Sequence, residues 1–234
     1  MAKAGQCVKY TLTNETKEFD GKVLHRIVCV TAFASVVVGD TGGWVESDNN
    51  LSQDGDAWVY GDAQVSGNAR VDGNARVYGD AQVSGNARVD GNARVDGNAR
   101  VDGNARVYGD AQVSGDAQVD GNAQVSGDAW VSGYARVDGN ARVDGNAWVS
   151  GYAQVSGDAR VMSEKDYIVI RNTWSSGRYF TYTASNGKWS VGCFYGTGEE
   201  LVAKAFADSE LSGKCYEAAV KFVNELERIK KEAK

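Results

Sequence analysis

From Gly55 to Met162 the chain repeats one six-residue unit eighteen times without an insertion. The unit is Gly-(Asn/Asp/Tyr)-Ala-(Arg/Gln/Trp)-Val-(Asp/Ser/Tyr/Met), and its Ala and Val never vary. A short period held this strictly dictates a stacked-repeat architecture before any single motif is considered. It also leaves no insertion on which catalytic loops could be built.

Within each hexad, Ala-x-Val-x alternates small or branched apolar residues with polar ones, the pattern of a half-buried strand. Gly followed by Asn or Asp is turn chemistry, because Gly adopts positive φ freely and Asn and Asp tolerate it. Each hexad therefore reads as a strand of about four residues and a two-residue corner. One such strand cannot bury a face. Stacked coils can, with Ala and Val inward and backbone hydrogen bonds between coils at a spacing of roughly 4.8 Å.

The spacing of Val59 with Ala63 and of Val65 with Ala69 resembles the hexapeptide-repeat, left-handed β-helix family. The resemblance implies a mainly β protein with a left-handed, triangular coil of three hexads. Eighteen hexads then make six coils and a rod of roughly 29 Å.

The flanks differ from the rod, so the chain divides into residues 1–54, 55–162 and 163–234. In the first segment Lys9–Thr13 and Lys22–Phe33 have strand character, with Asn14–Gly21 as a polar connection. Val45 and Leu51 sit six apart and Leu51 and Val59 eight apart, a register slip of two in an imperfect first coil. This segment is expected to cap the open edge of the rod. In the last segment Tyr167–Arg171, Arg178–Thr183 and Lys188–Tyr195 read as three strands, with Ser185-Asn186-Gly187 as a hairpin turn. A short helix opens near Thr197, and a longer one runs from Ser212 to about Lys231. On the long helix Cys215, Ala218, Ala219, Phe222, Val223, Leu226 and Ile229 form an apolar stripe. This is a small α+β domain, too short to rely on its own core, and it is expected to lean on the last coil.

Several stretches outside the hexads carry a second resemblance. They are Lys9-Tyr10-Thr11-Leu12-Thr13, Leu24-His25-Arg26-Ile27, Gly42-Gly43-Trp44-Val45-Glu46-Ser47 and Gly192-Cys193-Phe194-Tyr195-Gly196-Thr197. With the hexads between them, they resemble repeat proteins frequent in bacteriophage and prophage genomes. That resemblance implies a phage or prophage origin and a location in the bacterial cytoplasm. It implies no particular reaction.

The composition excludes several chemistries. Enzymes that resemble this rod in fold are mostly acyltransferases, and they need a His base and a protruding loop. The rod has neither, and the lone His25 lies in a strand beside apolar residues. A three-His zinc site is excluded, and no nucleophile elbow or Walker loop is present. The expectation is a non-enzymatic protein without cofactor or metal. The four Cys (Cys7, Cys29, Cys193, Cys215) lie outside the repeat and read as reduced, mostly buried thiols, with one disulfide as the alternative. No leader and no membrane-spanning apolar run is read in the sequence. Residues 55–162 hold nine Arg and fourteen Asp without Lys or Glu, a balance of −5 that argues against nucleic acid as partner.

With 18 residues per coil, residues 18 apart stack. One column runs Arg70, Arg88, Arg106, Gln124, Arg142, Arg160, beside Asp72, Asp90, Tyr108, Ser126, Asp144, Met162. It reads as a solvated ion-pair face, or as an Arg ladder (Arg70, Arg88, Arg106) that grips an anion. A second column runs Trp58, Arg76, Arg94, Gln112, Trp130, Trp148, and Tyr134 and Tyr152 replace the usual turn residue in its last two coils. The outward aromatics Trp130, Tyr134, Trp148 and Tyr152 have three readings: covered by the C-terminal domain, forming an oligomer or partner interface, or stacking on a base or sugar. The function expected is a binding or scaffold protein and a homo-oligomer. In its most concrete form it is an anti-defence or host-takeover factor that binds a host protein or a small nucleotide. A virion or assembly component and an acyltransferase-like enzyme are the alternatives.

Overall fold

The computed structural model describes residues 8–233. Its centre is a parallel β-solenoid. Eighteen two-residue strands, β4 (Trp58–Val59) to β21 (Arg160–Val161), each take the x-Val pair of one hexad. The strands are shorter than the four residues expected, because the corner and its flanking residues turn away from ideal ladder geometry. The inter-coil bonds nevertheless extend beyond them. In each regular hexad three N–H groups donate to the next coil, as in Asn68 to Gly85, Arg70 to Ala87 and Asp72 to Val89, at 2.8–2.9 Å.

All 18-residue columns pair in register, for example Arg70 with Arg88 and Trp130 with Trp148. Three sheets result, led outward by the Gln64, Trp58 and Arg70 columns. The repeat Ala and Val side chains are buried to within 1% of complete and form one continuous core. The corner glycines from Gly55 to Gly157 all have φ between +58° and +73°. At Gly103 a Cβ would also lie 2.9 Å from backbone N and O of Gly121. The hexad therefore needs Gly here for both conformation and inter-coil distance.

The N-terminal segment adds nearly a seventh turn. β3 (Thr41–Val45) pairs parallel with the first Gln rung, Val45 opposite Val65, and Leu51 bridges Val71. Both offsets are 20 residues rather than 18, the slip of two read in the sequence. Two further strands, β1 (Tyr10–Phe19) and β2 (Lys22–Cys29), extend the same sheet antiparallel. β1 runs through the segment expected to be a connection, since Asp20 and Gly21, both at positive φ, make a two-residue hairpin turn between Phe19 and Lys22.

Beyond the solenoid, β22 (Tyr167–Arg171), β23 (Tyr179–Thr183), β24 (Lys188–Val191) and β25 (Phe194–Gly196) form an antiparallel sheet. The third expected strand is two, folded back at Gly192. Helices α1 (Gly198–Asp208) and α2 (Glu210–Glu232) pack on this sheet. Thr197 caps α1 through a reciprocal capping box with Glu200, and Ser209 rather than Ser212 caps α2. The apolar stripe read on α2 is split. Val223 is buried together with Tyr216 and Val220, whereas Phe222 and Ile229 face outward. Cys29 is buried, Cys215 half-buried and Cys193 exposed, all as free thiols. Cys193 thus departs from the buried reading, and Cys7 lies outside the described residues. Among the described residues no helix is long and apolar enough to cross a membrane.

The two ends of the ladder present different groups. The first coil turns carbonyls outward, and donors meet them. Lys9 Nζ reaches Ala57 O at 2.9 Å and Gly55 O at 3.2 Å, and Asn50 Nδ2 reaches Ala69 O at 2.8 Å. Burial lowers the Lys9 ammonium pKa to about 8. The last coil turns N–H groups outward, and acceptors of the C-terminal domain meet them. Gln154 N–H donates to Thr181 Oγ1 at 2.8 Å, Arg160 N–H to Ser185 Oγ at 2.7 Å and Met162 N–H to Asp166 Oδ2 at 2.7 Å. Tyr167 OH adds a donor, to Trp148 O at 2.8 Å.

Three outcomes follow from this packing. Val101→Asp places a charge in the closed Ala/Val core and should cost about 4 kcal/mol or more in urea melts; a cost below roughly 1 kcal/mol would contradict the core assignment. Thr181→Val strands the part-buried Gln154 N–H and should cost about 1–3 kcal/mol, whereas Ser185→Ala, at an exposed bond that water can replace, should cost less, both read by the same melts. Because the folded state holds the Lys9 proton less tightly than the unfolded chain, whose Lys titrates near its ordinary 10.5, stability should rise as pH climbs from 8 to about 10. Above that, the buried Tyr10 hydroxyl, whose pKa is raised, reverses the trend. Lys9→Met should remove the rise, and a rise of equal size in that variant would show that Lys9 is not its source.

Candidate binding surfaces

The surface of a parallel solenoid is a set of columns in which like side chains stand one coil apart. Their chemistry decides whether they satisfy each other. At the corners, Asn68, Asn86, Asn104, Asn122 and Asn140 each donate from Nδ2 to the next coil's Oδ1 at 3.0 Å, ending on Asp158. Asp accepts but cannot donate, so it terminates the ladder. A ladder of this kind was legible in the 18-residue spacing, and the sequence reading took these residues for turns alone.

The Arg column lies where expected, with Arg70, Arg88 and Arg106 opposite one another and all exposed. Within this face one ion pair closes among the described residues, Arg70 Nε to Asp72 Oδ2 at 3.6 Å. Burial raises the pKa of the Asp90 carboxyl, helped by Asp72, while Arg106 and Arg88 oppose the shift. At this exposure such pairs contribute little.

The Trp column is also in register, but its members differ in fate. Trp58 is buried, in edge contact with Tyr10 and Phe33 of the N-terminal cap at 6.1 and 5.4 Å. Trp130 and Trp148 remain outside, 42% and 45% exposed, with rings stacked at 5.5 Å and 13°. Their indole N–H groups donate to Ser114 and Ser132 Oγ at 3.1 and 3.3 Å, which fixes the rings on the sheet. Their indole N–H groups are thus satisfied, and the stacked pair keeps over two-fifths of its surface exposed.

Tyr134 and Tyr152 stack at the adjacent corner, 5.0 Å apart and 56% and 45% exposed. The C-terminal domain continues this stack with Tyr179, 4.3 Å from Tyr152, and Arg171 places its guanidinium 5.7 Å from the Tyr179 ring. Tyr167 OH donates to Trp148 O at 2.8 Å. The domain therefore touches the edge of the aromatic patch and leaves Trp130 and Trp148 exposed. Tyr179, Arg171 and Arg178 were missed as site residues; the β22–β23 hairpin signal was present, but nothing in its spacing says which column it meets. His25 lies in β2 opposite Thr16 and Val45, its Nδ1 3.3 Å from Thr13 O.

Comparison with known proteins agrees with this architecture. Residues 75–166 match the bactofilin family, described as polymer-forming cytoskeletal, and residues 63–79 match the YdcK β-solenoid repeat. Among curated proteins, the chain is 33% identical over 60 residues to the uncharacterized acetyltransferase YdcK of Escherichia coli (strain K12). That match covers 22% of this chain and 18% of the relative, so it spans less than a fifth of the relative's length. The chain thus contains a β-solenoid of hexapeptide repeats, and its residues 75–166 are similar to the bactofilin family.

Proposed function

We propose that the protein is a non-catalytic scaffold that associates with further copies of itself through the side of its solenoid. The observation that carries this reading is the stacked Trp130–Trp148 pair, outward on a rigid sheet, in a rod whose two ends are occupied. Large aromatics supply most of the energy of protein interfaces, and two ordered indoles lose little entropy on docking. The end caps steer association away from coil-on-coil stacking, because several terminal carbonyls and N–H groups are already bonded to the flanking segments. Similarity to a polymer-forming family supports self-association in general, and the lateral route is this structure's version of it.

The occupant expected from the resemblance to phage proteins, a host protein or nucleotide signal bound in an anti-defence role, is the competing outcome. Sedimentation of the wild-type chain should show an assembly larger than the monomer at about 100 µM, persisting in roughly 0.5 M salt because burial of indoles is insensitive to screening. Trp130→Ala with Trp148→Ala should give a monomer with unchanged circular dichroism. A wild-type chain that stays monomeric throughout would sink self-association. An assembly that survives the double substitution but dissolves in salt would move the interface to the Arg70, Arg88 and Arg106 face.

A further inference from the structure

Where the β22–β23 hairpin meets the last coils, a notch of about 560 Å3 opens, within the range of small-molecule sites. Tyr134, Tyr152, Gln154, Arg171, Arg178 and Tyr179 line it, with Gly177 and Gly192 at the rim. Every one of these side chains can donate a hydrogen bond, and none is a carboxylate. In a chain of net charge −6 this is an unusual concentration of donors. None of the ion pairs among the described residues involves Arg171 or Arg178. Two guanidinium groups therefore share a wall with no counter-charge lining it.

The wall is ordered by its surroundings. Arg171 pairs with Tyr179 across the hairpin, and its guanidinium lies by that ring. Arg178 O accepts from Asn172 N–H at 2.7 Å. Asn172 is buried, and its Nδ2 lies 2.8 Å from Ser175 Oγ and 3.1 Å from Tyr216 OH on α2, so the loop that carries Arg178 is tied to the domain core. At Gly192, with φ +57°, a Cβ would sit 3.5 Å from an Arg178 guanidinium nitrogen; the missing side chain leaves room beside it.

The tyrosines narrow the chemistry further. Both faces of Tyr152 are taken, by Tyr134 at 5.0 Å and Tyr179 at 4.3 Å, each within 8° of parallel. A planar ring cannot enter that stack. Tyr152 can therefore offer the notch only its edge and hydroxyl, and the edge of an aromatic ring is the positive part of its quadrupole. Guanidinium forks, amide, hydroxyls and ring edges all favour an oxyanion with several acceptor oxygens. We infer that this notch binds the phosphoryl or pyrophosphoryl group of a small soluble molecule, gripped by Arg171 and Arg178 rather than by base stacking. The site is separate from the Trp130–Trp148 face and stands whether or not that face self-associates.

The test is calorimetric titration of the full chain with pyrophosphate, adenosine diphosphate and adenosine. Pyrophosphate and the diphosphate should bind, with affinity falling steeply toward roughly 0.5 M salt, and adenosine should not. Equal affinity for the first two would mark the inorganic group as sufficient, and tighter diphosphate binding would add a contact to the nucleoside; both support the proposal. Arg171→Gln with Arg178→Gln should weaken binding by about tenfold or more, while Arg94→Gln on the rod should leave it unchanged. Because both notch arginines are exposed, circular dichroism and melting of that variant should match the wild type, and Arg178→Lys serves as a milder variant should it misfold. No heat from pyrophosphate or the diphosphate up to about 1 mM, an equal loss in Arg94→Gln, or adenosine binding as well as its diphosphate would each overturn the proposal.

Discussion

The directional hydrogen bonding between coils is the constraint on which the rest of this molecule depends. The ladder is unevenly directed: per regular hexad three N–H groups donate toward the C-terminal end, while Val N–H groups such as that of Val71, which donates to Asn50 O at 2.9 Å, run the other way. Inside the rod each group finds its partner one coil away. At the ends the open groups are mostly carbonyls on the first coil and mostly N–H groups on the last, with Trp148 O as an acceptor among the latter. The flanking segments answer in kind. Lys9 and Asn50 bring N–H groups to the first coil, Thr181, Ser185 and Asp166 bring oxygens to the last, and Tyr167 brings a hydroxyl donor to Trp148 O.

The same constraint explains which features of the fold are visible in the residues. Strict period, invariant Ala and Val, and turn glycines leave one register open, so the columns of Arg70, Trp130 and Tyr134 and even the two-residue slip after Leu51 follow from counting. Elements that depend on contacts between distant segments do not. Trp58 occupies the outward x position of its hexad, yet it is buried because Tyr10 and Phe33 of the cap fold over it. The α2 stripe is ambiguous for a different reason. Tyr216 and Val220 offer a second apolar face, and the sheet beneath selects that one, turning Phe222 and Ile229 outward. The β1 segment reads as polar because an edge strand with one solvated face need not be apolar.

The surface features likewise divide according to whether a column can satisfy itself. Asn stacked on Asn both donates and accepts, so that corner is closed to partners. Tyr stacked on Tyr uses its faces and exposes its edges. Trp stacked on Trp, with each N–H held by a Ser, keeps broad outer surface free. Arg stacked on Arg repels, and Gln112 and Gln124 interrupt the two Arg columns midway. Columns of identical residues are thus not equivalent as recognition surfaces, although the sequence repeat presents them as if they were.

These differences place the unspent interaction capacity near the C-terminal end of the rod. There the Trp pair offers apolar area on one face, while the corner beside it, where Tyr179 extends the tyrosine stack, offers uncompensated positive charge. The two surfaces call on different physics, one resistant to salt and one sensitive to it. They are held at fixed separation by a sheet whose coils cannot shift register without breaking every inter-coil bond at once. A flexible linker between two sites lowers their mutual effective concentration. A solenoid fixes it. The sites occupy the same pair of coils and the strands that cap them, so an occupant of the notch would contact the hairpin that closes the rod. Ligand binding there and stability of the end cap are consequently linked, since a group that binds only the folded junction stabilises it by mass action.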